Sequence, residues 1–153
     1  MKYIGYQYTE TLEDCYVECI EHNKRIVDFI VEKRPLTNPI KWENSNVDRI
    51  ELIRTHSDIA YLDLDTKILK PFDDLEPGLW MDFLFGVPHG AVIVSIGNNS
   101  AIVEERIAHH KKSLAYKISG RMQPGKVFGR CKQVKQLPDK YFTHGFFTTQ
   151  RFA

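Results

Sequence analysis

An apolar run that ends in two closely spaced aspartates, in the segment IAYLDLDTKILKPFDDL (59–75), constrains the fold more than any other feature. The composition of Ile59 to Leu64 is that of a buried central strand, and Asp63 and Asp65 fall at its carboxyl end. Alternate residues of an extended chain point to the same side, so both carboxylates can face one crevice. In open α/β sheets, ligands bind in that crevice. We therefore predict a binding cleft at the end of this strand.

The sequence before this segment predicts strands alternating with helices. Residues 2–8 are typical of a first strand, and a helix is predicted to begin at Thr11, with Asp14 in its first turn. Residues 25–32 either continue that helix or form a second strand. Asn46 is predicted to cap the next helix, VDRIELIRTH.

The second half continues the alternation. GLWMDFLFG (78–86) and GAVIVSIG (90–97) are strand candidates around a turn at Val87-Pro88-His89, and residues 98–118 form an amphipathic helix pattern. The tail, residues 126–142, predicts one or two short strands. We therefore predict an α/β domain with a mostly parallel central sheet flanked by helices. No linker divides the chain, so residues 1–153 are predicted to form a single domain.

Composition excludes several classes of function. The net charge is +1 with both signs interspersed, so no nucleic-acid partner is predicted. No stretch is apolar enough to span a bilayer, and the first ten residues lack the apolar core of a secretory signal. Three cysteines, an odd number, favour reduced thiols and a cytoplasmic location. Cys15 and Cys19 are expected to be buried small side chains rather than half of a metal site.

The paired aspartates suggest a cation. Two carboxylates this close repel each other unless a positive charge neutralises them, and hard oxygen ligands suit Mn²⁺ or Mg²⁺. Such an ion can bridge phosphate oxygens and stabilise charge on a departing phosphate. By itself, a D-x-D pattern is weak, because two aspartates can also end a strand in a solvated turn.

The stretch AYLDLDTKILKPFDDL resembles the D-x-D region of GT-A glycosyltransferases, in particular the sugar-binding-region group that includes capsular-polysaccharide enzymes. Four further stretches resemble the same family in the same order: LEDCYVECIEHNKR, NVDRIELIRTHSDIAYLDLD, HGAVIVSIGNNSAIVEERI and QLPDKYFTHG. The resemblance implies a single GT-A-like domain. It also implies a metal-dependent enzyme that moves a sugar from a UDP- or GDP-sugar donor to a hydroxyl of a glycan or another acceptor.

The resemblance also implies roles for particular residues. Asp63, Asp65 and Arg49 would be catalytic, and the metal ligands would be Asp63, Asp65 and His144. Residues that would bind the donor are Tyr6, Gln7, Asp48, Arg49, Asp63 and His89.

The sequence departs from the family pattern in one helix. Family members commonly carry Ser-Asp-x-x-Arg there, whereas this chain has Val47-Asp48-Arg49, so Arg54 or Asp58 could take over the sugar-binding roles. Arg49 could equally pair with Glu43 or Glu51 at the surface.

Several other candidate site residues also have ordinary structural interpretations. Tyr6 could stack on a base or pack in the core. His89 could belong to a hairpin turn, and His109-His110 is expected on a solvated helix face. The stretch GRMQPGKVFGR (120–130) is either a loop over the diphosphate or a surface connection.

Two alternative functions stay open. One is a binding module that keeps the GT-A fold without turnover, because fold does not guarantee activity. The other is a D-x-D phosphohydrolase of the haloacid-dehalogenase type. That motif needs Thr or Val four residues after its first aspartate, where this chain has Lys67.

Overall fold

The computed structural model describes residues 1–144, which form eight strands and five helices. The strands are β1 (Lys2–Gln7), β2 (Phe29–Lys33), β3 (Ile59–Leu62), β4 (Thr66–Ile68), β5 (Gly78–Leu84), β6 (Val87–Ile96), β7 (Val134–Gln136) and β8 (Phe142–His144). The helices are α1 (Asp14–Lys24), α2 (Lys41–Thr55), α3 (Ser100–Lys111), α4 (Leu114–Ser119) and α5 (Pro124–Val127), and a 3₁₀ turn spans Asp139–Tyr141. That residues 1–153 form one domain stays a prediction.

The main sheet has six strands in the order β2-β1-β3-β6-β5-β7. Strand β1 is parallel to β2 and β3, and β5 is parallel to β7, whereas β6 runs antiparallel to β3 and β5. Strands β4 and β8 form a separate antiparallel pair. The prediction of a mixed α/β fold with a mostly parallel central sheet flanked by helices is confirmed.

Strand β3 is buried on both faces, as its apolar run predicts. Its four residues are at most 2% exposed. Ala60 and Leu62 belong to the core cluster on one face of the sheet, and Ile59 and Tyr61 to the cluster on the other. This alternation follows from the two-residue period of a strand. The central position of β3 places Asp63 at an internal crevice of the sheet.

The predicted start of the first helix was wrong. Helix α1 begins at Asp14, not at Thr11, because Glu13 before it is still extended. The helix ends at Lys24, and the following segment forms β2, which resolves the ambiguity of residues 25–32. Pairing decides this outcome, since Phe29 lies opposite Tyr3 in a parallel ladder.

Asn46 does not cap the second helix, which begins five residues earlier at Lys41. The Asn44 side chain accepts hydrogen bonds from the backbone N–H groups of Thr37 and Asn38, both at 2.8 Å. These bonds fold the preceding loop onto the first turn of α2. Asn46 instead donates to Glu43 inside the helix.

The predicted turn at Val87-Pro88-His89 was also wrong, because these residues begin β6. The turn consists of Phe85 and Gly86, with φ angles of 52° and 78°. A two-residue loop with positive φ at both positions matches the twist of the adjoining strands. His89 is therefore a strand residue.

The long amphipathic helix predicted over residues 98–118 is divided into α3 and α4. Ser113 separates them, and its hydroxyl accepts from the Tyr116 N–H at the start of α4. His110 is not on a solvated face: it is 5% exposed and its Nε2 bonds the Arg121 carbonyl at 2.8 Å. His109 is exposed, as predicted.

Residues 1–144 include all three cysteines and the five helices. The three cysteines are free, with Cys19 buried and Cys15 and Cys131 half-buried. Among residues 1–144, every helix is too short or too polar to traverse a lipid bilayer.

Candidate functional site

Asp63 lies directly after β3 and is held by contacts from three sides. Its backbone N–H donates to the Ala91 carbonyl of β6 at 2.8 Å. The Tyr61 hydroxyl donates to its Oδ1 at 2.6 Å, and Nη2 of Arg49 forms a salt bridge to the same oxygen at 3.1 Å. The Asp63 carboxylate therefore has a defined orientation at the carboxyl end of β3.

Arg49 is buried in the middle of α2 rather than paired with Glu43 or Glu51 at the surface. Its Nη1 donates to the Gly90 carbonyl at 2.6 Å, and its Nε donates to the Ser45 carbonyl at 3.1 Å. The guanidinium also lies over the Tyr61 ring, 4.7 Å from its centroid. These contacts fix a positive charge beside Asp63.

Two cavities meet at Asp63, which lines both. The tyrosine cavity, of about 420 Å³, includes the side chains of Tyr6, Tyr8, Tyr16, Tyr61 and Asp65. The histidine cavity, of about 500 Å³, includes Trp42, Asn46, Arg49, His89 and Lys126. The carboxylate thus stands at the junction of an aromatic cavity and a more polar one.

Asp82 is a functional candidate that the sequence reasoning missed. It sits at an irregularity in the β5–β6 pairing, and its side chain is 1% exposed. Its Oδ1 accepts from the N–H groups of Gly90 and Val92, each at 3.0 Å, and its Oδ2 accepts from His89 Nδ1 at 2.9 Å. His144 Nε2 lies 3.6 Å from the same Oδ2. The available signal was an aspartate inside the otherwise apolar strand GLWMDFLFG.

The charges of this cluster depend on one another. Burial alone would raise the pKa of Asp82, but hydrogen bonds from His144, His89 and Val92 outweigh it and hold that pKa below its usual range. The bond to Asp82 raises the pKa of His89. Each partner therefore stabilises the charged form of the other.

Asp65 has a different environment. Burial is the largest cause that raises the pKa of Asp65, and the negative charge of Asp63 raises it further. His144 lowers the pKa of Asp65. A carboxylate with these neighbours gains from any cation that binds between it and Asp63.

His144 lies near the D-x-D pair along the sheet and belongs to a cluster of side chains that could hold a metal ion. Pairing of β8 with β4 places it opposite Thr66, the residue after Asp65. Ligand atoms of Asp82, His89 and His144 lie within 4.8 Å of one another, close enough to hold one ion. Carboxylate oxygens and imidazole nitrogens suit Mn²⁺ and other transition metals. The chemistry of the donors therefore fits a divalent ion.

The predicted donor-binding residues are only partly brought together. Tyr6 lines the tyrosine cavity and packs against Tyr61, with ring centroids 5.7 Å apart. Asp48 accepts a hydrogen bond from the Tyr8 hydroxyl at 2.7 Å. The Gln7 amide is turned to the Thr9 carbonyl, at 2.8 Å, and Gln7 does not line the tyrosine cavity. The structure thus favours Tyr6 over Gln7 as a residue of this cavity.

The two alternative sugar-binding residues lie outside both cavities. Arg54 forms salt bridges with Glu51 and Glu104 at the surface. Asp58 accepts from the Gly97 N–H at 2.8 Å. Neither side chain points to the Asp63 junction, which leaves Arg49 as the arginine beside the D-x-D pair.

Comparisons with known proteins bear on the fold. No protein-family model matches the chain, and no curated protein is similar to it in sequence. The structure is similar to the crystal structure of the glycosyltransferase GlyE in Streptococcus pneumoniae TIGR4, with a TM-score of 0.52 and 12% sequence identity. The match covers 90% of this chain and 46% of that one, so the chain spans about half the length of that structure. The described chain therefore has a glycosyltransferase-like fold.

Proposed function

We propose that this protein is a glycosyltransferase, which moves a sugar from a UDP- or GDP-sugar donor to a hydroxyl of a glycan or another acceptor. The observation that carries the proposal is the junction at Asp63. There, a carboxylate and a buried arginine meet between two cavities, at the carboxyl end of the central strand of a glycosyltransferase-like fold. Membership of the capsular-polysaccharide group and a cytoplasmic location stay predictions.

The tyrosine cavity is the proposed site of the nucleotide. Tyr6, Tyr8 and Tyr16 offer ring faces and hydroxyls, which suit a planar base and a ribose. Asp65 lines this cavity, and Asp63 lies at its junction with the histidine cavity. The two carboxylates would therefore lie beside the diphosphate. The donor sugar would then extend into the histidine cavity.

We propose Asp63, Asp65 and His144 as the ligands of Mn²⁺ or Mg²⁺. Bound there, the ion would neutralise charge on the diphosphate. Asp82 would fix the orientation of the His144 ring, because a carboxylate beside a metal-binding histidine holds that ring in place.

Two basic residues of the chain would act on the donor directly. Arg49, held by Ser45 and Gly90, presents a fixed positive charge to the junction. His89, whose pKa Asp82 raises, can donate a hydrogen bond from Nε2, the ring nitrogen that does not contact Asp82, to an anionic or hydroxyl oxygen in the histidine cavity.

The test is the thermal stability of the protein with Mn²⁺, with UDP or GDP, and with both together. We expect both ligands together to stabilise more than the sum of each alone. A ligand present at 100 times its dissociation constant adds about 2.7 kcal/mol to the free energy of unfolding, which is enough to see in a melt. Asp65→Asn should abolish this synergy and leave the ligand-free melting temperature unchanged or raised, because it removes like-charge repulsion.

Asp73→Asn is the matched control, since Asp73 is exposed and lines neither cavity. Full synergy in Asp65→Asn would exclude Asp65 as a ligand. Turnover is a separate measurement: donor hydrolysis that requires Mn²⁺ supports an enzyme, whereas binding without hydrolysis supports a binding module. Phosphate release from p-nitrophenyl phosphate would instead support the phosphohydrolase.

A further inference from the structure

A third cavity is lined by basic residues and by no acidic one. This basic cavity, of about 370 Å³, lies between α3 and the segment that contains α5. Its charged or titratable side chains are Arg106, His109, His110, Lys126 and Arg130. A cavity with charge of one sign attracts a ligand of the opposite sign.

The cations of the basic cavity are not neutralised within the described chain. Among residues 1–144, no salt bridge involves Arg106, Lys126 or Arg130, whereas Arg34 and Arg49 each pair with an aspartate. Arg106 is anchored instead by backbone: its Nε donates to the Val127 carbonyl at 3.1 Å and its Nη2 to the Gly129 carbonyl at 3.0 Å. The positive charge is therefore held in place without a counter-charge.

The backbone at Arg130 is strained in a way that favours a binding role. Arg130 has a φ of 61°, a conformation that side chains other than glycine adopt at a cost. Just before it, a Cβ added at Gly129 would lie 2.6 Å from the Gly125 carbonyl oxygen, so the turn is closely packed. Strain of this kind concentrates at ligand sites. Here it places an exposed guanidinium at the edge of the basic cavity.

The basic cavity continues the cleft already described. It shares Val87, Gly125 and Lys126 with the histidine cavity, which in turn meets the tyrosine cavity at Asp63. The three cavities therefore form a series, with the carboxylates between the first two and the basic residues at the far end.

We propose that the acceptor is an anionic sugar, whose phosphate or carboxylate group binds in the basic cavity. This inference rests on the proposed function, because it assigns the far end of the cleft to the acceptor. The planar guanidinium of Arg130 matches two oxygens of a phosphate or carboxylate, and Lys126 adds charge on the side towards the histidine cavity. An acceptor anchored there would extend its hydroxyl towards Asp63 and His89.

The test is binding of three small probes without donor, with EDTA present: methyl glucoside, methyl glucoside 6-phosphate and methyl glucuronide. Backbone amide NMR shifts report both the affinity and the place of binding. We expect the two anionic probes to shift residues 106–113 and 125–130, and the neutral glucoside to shift neither segment. Arg130→Gln should weaken binding of the anionic probes about tenfold or more, as loss of a hydrogen bond to a charged group would.

Lys132→Gln is the matched control, because it removes the same charge from an exposed residue of the same segment that does not line the cavity. Equal loss of affinity in both variants, or equal binding of the neutral probe, would overturn the proposal. Sedimentation with phosphatidylglycerol vesicles of the wild type but not of Arg130→Gln would also overturn it, by assigning the cavity to a lipid headgroup. Failure of the wild type to hydrolyse any nucleotide sugar would contradict the proposed function, while probe binding tests the basic cavity alone.

Discussion

At the scale of single residues, Asp82 organises the site although it does not line either cavity of the junction. Its carboxylate satisfies two N–H groups of β6 and contacts both His89 and His144. A buried carboxylate is tolerated only when it is paired and hydrogen-bonded, and this one meets both conditions.

Asp82→Asn should therefore destabilise the protein, because the uncharged amide forms no ion pair with His89 or His144 and offers one acceptor oxygen where the carboxylate offers two. Removing one partner of a fully buried pair typically costs 3–5 kcal/mol, and since His89 is partly solvated we expect about 2 kcal/mol. Urea unfolding with EDTA measures this loss, and Asp73→Asn provides the exposed control. A loss below about 0.5 kcal/mol would show that the cluster contributes little to stability.

His144 has a separate prediction. If it is a metal ligand, His144→Ala should reduce the Mn²⁺-dependent part of the thermal shift with nucleotide and leave the nucleotide-only shift unchanged. His56→Ala is the control, because His56 is exposed at the end of α2. His110 is unsuitable, since its burial would confound the comparison. Equal Mn²⁺ responses in the two variants would remove His144 from the site.

At the scale of elements, the approach of β6 to α5 shapes the histidine cavity. Gly90 lies where β6 passes α5, with a φ of 97°, and an added Cβ would come within 2.6 Å of the Pro124 Cβ. Its carbonyl holds Arg49, and its N–H holds Asp82. This position therefore needs glycine for both its conformation and its space.

Gly90→Ala should lower the free energy of unfolding by about 3 kcal/mol or more, from backbone strain plus the clash with Pro124. Gly86→Ala separates the two effects, because Gly86 also has a positive φ but nothing lies within 4 Å of the added Cβ. It should lose only about 1 kcal/mol. Chemical denaturation measures both, and equal losses would mean that the clash is relieved without cost.

At the scale of the whole molecule, buried tyrosines link stability to high pH. Burial raises the pKa of Tyr3, Tyr8 and Tyr61, and it raises that of Tyr6 to about 12, with a further contribution from Glu32. A pKa that is higher in the folded state favours folding below the unfolded value of about 10. That contribution is lost as the pH rises from about 10 through the folded value.

The wild type should therefore lose stability steeply between pH 10 and 12, and Tyr6→Phe should lose less over the same range. Urea midpoints at pH 8, 10 and 11.5 measure the difference, with Tyr116→Phe as a control on a half-buried tyrosine. Parallel pH profiles for the wild type and Tyr6→Phe would show that Tyr6 does not ionise on unfolding in this range.

The sequence alone determined the features that depend on local pattern. The apolar run of β3 predicted a central buried strand, and the D-x-D pair followed it at the carboxyl end, because burial on both faces leaves a continuous apolar signature. Alternating strands and helices likewise predicted the α/β fold. These properties depend on residues that are neighbours along the chain, so they could be predicted without knowing which strands pair with each other.

Only the tertiary structure decided which distant residues meet. Asp82, His89 and His144 come together because β5 pairs with β6 and β8 pairs with β4, and no local pattern encodes those registers. The same holds for β2, whose segment became a strand because it pairs with β1. Long-range pairing adds hydrogen bonds and buried area that outweigh weak local preferences, and so the cluster around Asp82 could not be predicted from its separate stretches of sequence.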